Sequence, residues 1–343
     1  MRAAVFHGPF DISLENVPDP EIKAPHEAIV RVLAGAVCGS DLWTYRGQST
    51  AAPESRIGHE FIGVVVEKGT EAQDLNTGDM VIAPFRYSDG CCVHCDSGWP
   101  SSCVNGGFWG WDSDGGQGEY VRVPYASATL VKLSDSPGLD AVPDLLTLTD
   151  VMSTGMHAAA SARIAGGESV AVIGDGAVGL CAVIAARLLG AGKTTVFGGK
   201  HPDRNALARQ FGADEVRTER GAEAVQAVQE ITHGKGMDVV LECVGSEASF
   251  DTALAITRPG GSLAYVGLPH GAKIEVAKLF RTNVTVSGGL SPARRYIDRL
   301  LVPVLNGSIH PGAVFTERLP LSDIAKAYDL MDKRETIKVL VTP

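Results

Sequence analysis

At 343 residues, 45% hydrophobic and 20% charged, the chain is long enough for two domains and apolar enough to give each a core, which excludes a disordered polypeptide. A formal net charge of −10 argues against nucleic acid or an anionic membrane as partner. The opening Met1-Arg-Ala-Ala-Val-Phe6 reads as a strand without a signal-peptide core, and no uncharged run reaches transmembrane length, so a cytoplasmic protein without a membrane partner is expected.

Seven cysteines in such a chain favour thiols or metal ligands over disulfides. Residues 1–150 read as short strands joined by glycine and proline turns. Segments 3–6, 27–34, 63–68 and 79–83 fit an antiparallel barrel or sandwich. A helix is expected over 145–162. Strands and helices then alternate: strand 170–174, helix to 189, strand 194–197, helix 203–211, a short strand at 215–216, helix 222–232, strand 238–243, helix 248–257 and strand 262–266. That alternation predicts an α/β chain whose second domain, 151–290, is a doubly wound parallel sheet. Gly234-Lys-Gly236 and Pro259-Gly-Gly261 read as turns. Residues 291–343 add a helix near 293–305 and a strand at 337–341 that could return to the first domain.

The second domain opens on Gly174-Asp-Gly176-Ala177-Val178-Gly179, directly after a strand and ahead of a helix. Gly174 suits a tight turn, Gly176 a close approach to a pyrophosphate, and Gly179 close helix–strand packing. The N–H groups of the new helix, from Ala177 and Val178 onward, then face an anion. An NAD site places an acid at the end of the next strand, to accept from the ribose 2′-OH. Here Gly198 and Gly199 stand there, followed by Lys200, His201 and Arg204. Space and cations favour a 2′-phosphate, hence NADP(H) over NAD(H). Asp203 is the one candidate for an NAD-type contact.

Cys38, His59 and Glu60 stand beside glycines and between strands, in Cys38-Gly-Ser40-Asp41 and Gly58-His59-Glu60. A catalytic zinc needs three ligands of this chemistry and one open position. A second constellation runs Asp89-Gly-Cys91-Cys92-Val-His94-Cys95 and then Cys103. In this order and at these separations the motifs resemble the zinc-dependent medium-chain alcohol dehydrogenases over essentially the whole length, and most of all their NADP-using bacterial secondary-alcohol branch.

The resemblance implies a GroES-like catalytic domain and a Rossmann domain. It implies a catalytic zinc held by Cys38, His59 and Asp150, with Glu60 beside the metal and Ser40 as a hydroxyl relay. The next relay member of the family, often histidine, is Trp43 here. Three of the four cysteines of the family's structural zinc lobe match Cys92, Cys95 and Cys103. Asp89 replaces the first, and its carboxylate can still close a tetrahedron; Cys91 and His94 are possible substitutes. By the same match, Thr154, Val266, Gly267 and Leu268 lie near the nicotinamide, Val244 and Gly245 near the adenosine ribose, and Lys338 at the pyrophosphate. Trp43, Phe85, Trp109 and Trp111 could line an apolar substrate pocket. The implied activity is hydride transfer between a small alcohol, or its aldehyde or ketone, and NADP(H), in a homodimer or homotetramer. The rival readings are an NAD-dependent polyol or amino-alcohol dehydrogenase, a zinc-free reductase of the same superfamily, and a non-catalytic nucleotide-binding sensor.

Overall fold

The computed structural model describes residues 1–49, 54–134 and 137–343. It has the expected α/β architecture, in two compact units: Met1–Asp150 with Pro292–Pro343, and Val151–Ser291.

In the first unit, strand Ala28–Val37 is the centre of the main sheet. It is buried along nearly its whole length, apart from Arg31 and Leu33. Glu60–Lys68 and Tyr120–Val123 pair with it antiparallel, and Lys338–Thr342 joins it with Val339 opposite Val37 and Val341 opposite Gly35. Met80–Ala83 and Val131–Lys132 extend the sheet at one end and Phe315–Pro320 at the other. One core layer gathers Val30, Val32, Phe61, Val65, Val81, Trp109 and Val121. A second gathers Phe6, Ile12, Tyr45, Leu319, Ile324, Tyr328 and Val339.

The second unit is a six-stranded, all-parallel sheet in the order Glu215–Arg217, Lys193–Phe197, Ser169–Ile173, Met237–Glu242, Thr257–Tyr265, Thr285–Gly288. Chain order reverses between Ser169–Ile173 and Met237–Glu242, and a sheet of this kind binds ligands at the carboxyl ends of the strands flanking that reversal. Val170, Ala171 and Val172 are fully buried, as strands covered on both faces require.

Two elements differ from the sequence reading. The helix expected over 145–162 is two helices, Val142–Thr147 and Val151–Ser161. Between them the Thr149 carbonyl accepts the Phe85 N–H (2.9 Å), so it is lost to a continuing helix, and the Thr149 hydroxyl donates to Leu146 O (2.7 Å). The strand expected over 262–266 begins at Thr257. Pro259-Gly-Gly261 is an irregularity inside it: Thr257 pairs with Met237 and the next paired residue, Ser262, with Val239.

No helix among the described residues is long and apolar enough to cross a membrane.

Candidate metal centres and cofactor-binding loops

Strand Ala28–Val37 ends immediately before Cys38, and strand Glu60–Lys68 begins immediately after His59. Their antiparallel pairing, with Ala36 opposite Glu60, brings the two residues together. Gly58 makes the approach possible: its φ is +94°, and a Cβ there would fall 2.4 Å from Gln117 Cγ. Asp150 enters from the break between the two helices. Its Oδ2 lies 3.3 Å from Cys38 Sγ and 3.5 Å from His59 Nε2. One donor atom from each of Cys38, His59, Glu60 and Asp150 lies within 4.8 Å of the others, and all four residues are buried.

Burial and mutual charge set the electrostatics of this cluster. Burial pushes the Cys38 thiol up; Lys338 opposes that, and Asp150 and Glu60 reinforce it. Burial alone would lower the His59 imidazole, but Asp41, Cys38 and Asp150 hold it well above its usual value. Burial likewise raises Glu60 against the pull of Lys338. A thiol, an imidazole and two carboxylates converging in a buried space fit a zinc ion, which favours these donors.

Around them stand Asp41, to which the sequence assigns no role, and Lys338 and Ser40. Asp41 Oδ1 is 3.0 Å from His59 Nδ1, and its Oδ2 accepts the Cys38 N–H at 2.9 Å. One carboxylate thus turns the imidazole so that Nε2 faces the cluster, and fixes the backbone of the thiol. Asp41 closes the Cys38-Gly-Ser40-Asp41 motif, and only the fold reveals its partner. Lys338, expected at a pyrophosphate, is buried beside Glu60: its ammonium donates to Glu60 Oε1 (2.5 Å) and to Val37 O (3.1 Å). A charge this deep needs such a partner, and burial, which would lower its pKa, is outweighed by Glu60 and Cys38. Ser40 Oγ lies 3.5 Å from His59 Nε2.

Phe85 and Trp111 stand with ring centroids 6.4 and 6.3 Å from that of His59, and Phe108 stacks on Phe85 at 5.5 Å. Trp109 does not join them. It is completely buried among Phe61 and Tyr87, and its indole N–H donates to Pro84 O at 2.8 Å, so it is core.

In the second constellation, Asp89, Cys92, Cys95 and Cys103 also bring one donor each within 4.8 Å of one another, a set that fits a closed tetrahedral zinc site. Cys92 Sγ is 3.6 Å from Cys95 Sγ and 3.8 Å from Cys103 Sγ. Cys91 and His94 stand outside this group. Asp89 is held by the N–H groups of Cys91 and Cys92 and by Asn105 Nδ2 (2.7 Å). Burial works against its charge, yet these donors keep its carboxyl far below the usual range.

The cofactor residues lie in the Val151–Ser291 unit. A Cβ on Gly179 would sit 2.1 Å from Gly174 O, so only glycine permits that contact. A Cβ on Gly176 would meet nothing within 4 Å, which leaves open space at the start of helix Ala177–Leu188, with the N–H groups of Ala177 and Val178 in its first turn. Loops 244–245 and 266–268 pack backbone to backbone: a Cβ on Gly267 would fall 2.2 Å from Gly245 N, and one on Gly245 2.2 Å from Leu268 O. Val244 and Leu268 are exposed, Val266 is half-buried, and Thr154 is buried in helix Val151–Ser161. Glu242, unremarked in the sequence, fixes the first loop by accepting from Val244 N (2.8 Å), Gly245 N (2.9 Å) and Ser249 Oγ (2.8 Å).

At the end of strand Lys193–Phe197, Gly198 and Gly199 are buried, while Lys200 and His201 are exposed. Arg204, expected to reach a 2′-phosphate, is buried instead. Its Nη1 lies 3.5 Å from Asp175 O and 3.9 Å from Asp175 Oδ1. A cation that sequence order had hidden stands near: Arg220 Nη2 lies 3.7 Å from where a Cβ on Gly199 would be.

Residues 24–135 match the family model of the alcohol dehydrogenase GroES-like domain, and residues 177–303 that of zinc-binding dehydrogenase. An alcohol dehydrogenase of Cupriavidus necator is 32% identical, covering 100% of this chain and 99% of its own. Among solved structures, the alcohol dehydrogenase TADH of Thermus sp. ATN1 superposes with a TM-score of 0.93 at 34% identity, over 100% of this chain and 99% of its own. A Sinorhizobium meliloti 1021 protein solved bound to NADP superposes with a TM-score of 0.84 at 28% identity, over 100% of this chain and 99% of its own. With the buried donor cluster and the glycine loop in place, the chain belongs to the zinc-dependent medium-chain alcohol dehydrogenases.

Proposed function

We propose that the protein oxidises primary or secondary alcohols, and reduces the matching aldehydes and ketones, with NADP(H) preferred over NAD(H). The observation that carries this reading is the buried convergence of Cys38, His59, Glu60 and Asp150 within 4.8 Å. Cys38, His59 and Asp150 would hold a zinc ion, which supplies Lewis acidity to an alcohol or carbonyl oxygen. Asp41 orients His59 and leaves Nε2 to the metal. Glu60 is kept in place by Lys338. The Ser40 hydroxyl, 3.5 Å from His59 Nε2, takes the substrate proton or returns it. With Trp43 where the family often has histidine, the path beyond Ser40 runs through water or ribose hydroxyls. Phe85, Phe108 and Trp111 give the substrate an apolar wall and exclude water. Asp89, Cys92, Cys95 and Cys103 would hold a second zinc that braces their loop.

For the cofactor, the open space at Gly176 and the N–H groups after it suit a pyrophosphate. The exposed Lys200 and His201, with Arg220 beside them, suit a 2′-phosphate. The Sinorhizobium relative's bound NADP supports the same preference. We read the protein as a cytoplasmic homodimer or homotetramer that uses the edge strand Thr285–Gly288. Comparing kcat/KM for NADP and NAD across simple alcohols and polyols tests the reading. NADP should be favoured with simple alcohols. Preference for NAD, or activity on polyols alone, would overturn it.

A further inference from the structure

We propose that Asp175 is a positioning residue for the 2′-phosphate end of the cofactor, acting through the Gly199 peptide to aim Lys200 and His201. The inference rests on the NADP reading above. Asp175 lies between the first two glycines of the fingerprint, after strand Ser169–Ile173, and its side chain crosses to the end of the neighbouring strand Lys193–Phe197. There Oδ2 accepts the Gly199 N–H at 2.7 Å, in a buried contact.

The glycine pair leaves close room for this side chain. A Cβ on Gly198 would lie 3.0 Å from Asp175 Cβ, and one on Gly199 2.9 Å from Asp175 Oδ2. The small residues that look in sequence like room for a phosphate are room for Asp175. Arg204, in the first turn of helix Pro202–Gln210, meets Asp175 at 3.9 Å. The segment is therefore tied at both ends, at 199 and at 204, to one residue of the glycine loop. Lys200 and His201 stand between the ties and are exposed. Because the Gly199 N–H is already used, a phosphate here has side-chain cations to bind, and their placement decides affinity. Because Arg204 faces the Asp175 carboxylate, that carboxylate presents little net charge to an incoming phosphate.

The test is the dissociation constant of NADPH and of NADH, read by fluorescence titration, beside steady-state kinetics of the zinc-loaded enzyme with NADP and with NAD, for Asp175→Ala, Asp175→Asn and Lys200→Ala. Asp175→Ala should raise KM for NADP about tenfold, the scale of one lost buried hydrogen bond, with kcat within about twofold and KM for NAD much less affected. Asp175→Asn keeps an acceptor for the Gly199 N–H and should restore most of the NADP affinity. Should the alanine variant fail to fold, Asp175→Ser, too short to reach that N–H, provides the same comparison. A merely structural brace would change thermal stability and shift both cofactors together. An unchanged KM ratio in Asp175→Ala, beside a raised NADP KM in Lys200→Ala, would overturn the inference while leaving the NADP reading intact. Preference of the unsubstituted enzyme for NAD would overturn both.

Discussion

Asp41 and His59 form a buried pair, Oδ1 to Nδ1 at 3.0 Å, and the other oxygen of the same carboxylate takes the Cys38 N–H at 2.9 Å. Two of the proposed zinc ligands thus share one orienting group. An asparagine at 41 has one oxygen and one amide, so it can satisfy only one of these contacts. Asp41→Asn should weaken zinc binding about 10- to 100-fold, the usual effect of removing an outer-shell partner. Competition with a chromophoric chelator reads this directly. Unchanged affinity would mean that Asp41 does not support the zinc ligands.

Glu60 and Lys338 are both fully buried and paired at 2.5 Å. Removing one partner strands a charge in the core, whereas removing both does not. Lys338→Met should destabilise the protein by about 3–5 kcal/mol, and the Glu60→Gln/Lys338→Met double variant by distinctly less. Denaturant unfolding of the metal-free proteins measures the cycle. Additive losses would mean that the two do not act as a pair.

The lobe formed by Asp89, Cys92, Cys95 and Cys103 tests whether a carboxylate closes a structural site. Asp89→Ala should lower the zinc content by about one ion per chain, while Asp89→Cys keeps it, since either thiolate or carboxylate completes a tetrahedron. Mass-spectrometric metal analysis separates the two. Full zinc content in Asp89→Ala would show that another group closes the site.

Asp238 ties the starts of two neighbouring strands, accepting from Ser169 N (2.9 Å), Ser169 Oγ (2.6 Å) and Arg258 Nε (2.6 Å). Burial opposes its charge, but the Ser169 hydroxyl and Arg258 prevail and hold its carboxyl below the usual range. A carboxyl depressed in the folded state adds stability above its unfolded pKa of about 3.9 and loses it as pH falls through the folded value. Asp238→Asn should therefore lower Tm by about 2 °C at neutral pH, with the gap closing as pH falls below about 4. A gap independent of pH would mean that charge plays no part.

The glycine fingerprint was legible in the sequence because each of its glycines answers a local demand: Gly174 turns the chain, and Gly179 meets Gly174 O. The alternating strands and helices were legible for the same reason. The rest depended on contacts that sequence separation conceals. Asp150 meets Cys38 from 112 residues away, out of a helix break set by Phe85. Spacing did not single it out, and only the family resemblance did. Asp175 and Gly199 meet across two adjacent strands, 24 residues apart, so the glycine pair looked like empty space and Arg204 like a free cation. The partner of Lys338, Glu60, follows from sheet pairing and not from its neighbours in the chain, so it was not legible in the sequence.

Cys38, His59 and Asp150 are proposed to hold the zinc of an NADP-linked alcohol dehydrogenase. Turnover of Cys38→Ser with NADP and a simple secondary alcohol, alongside NADPH binding by fluorescence, tests it most directly. Turnover should vanish while NADPH binding stays close to that of the unsubstituted enzyme. Undiminished turnover by Cys38→Ser would contradict it.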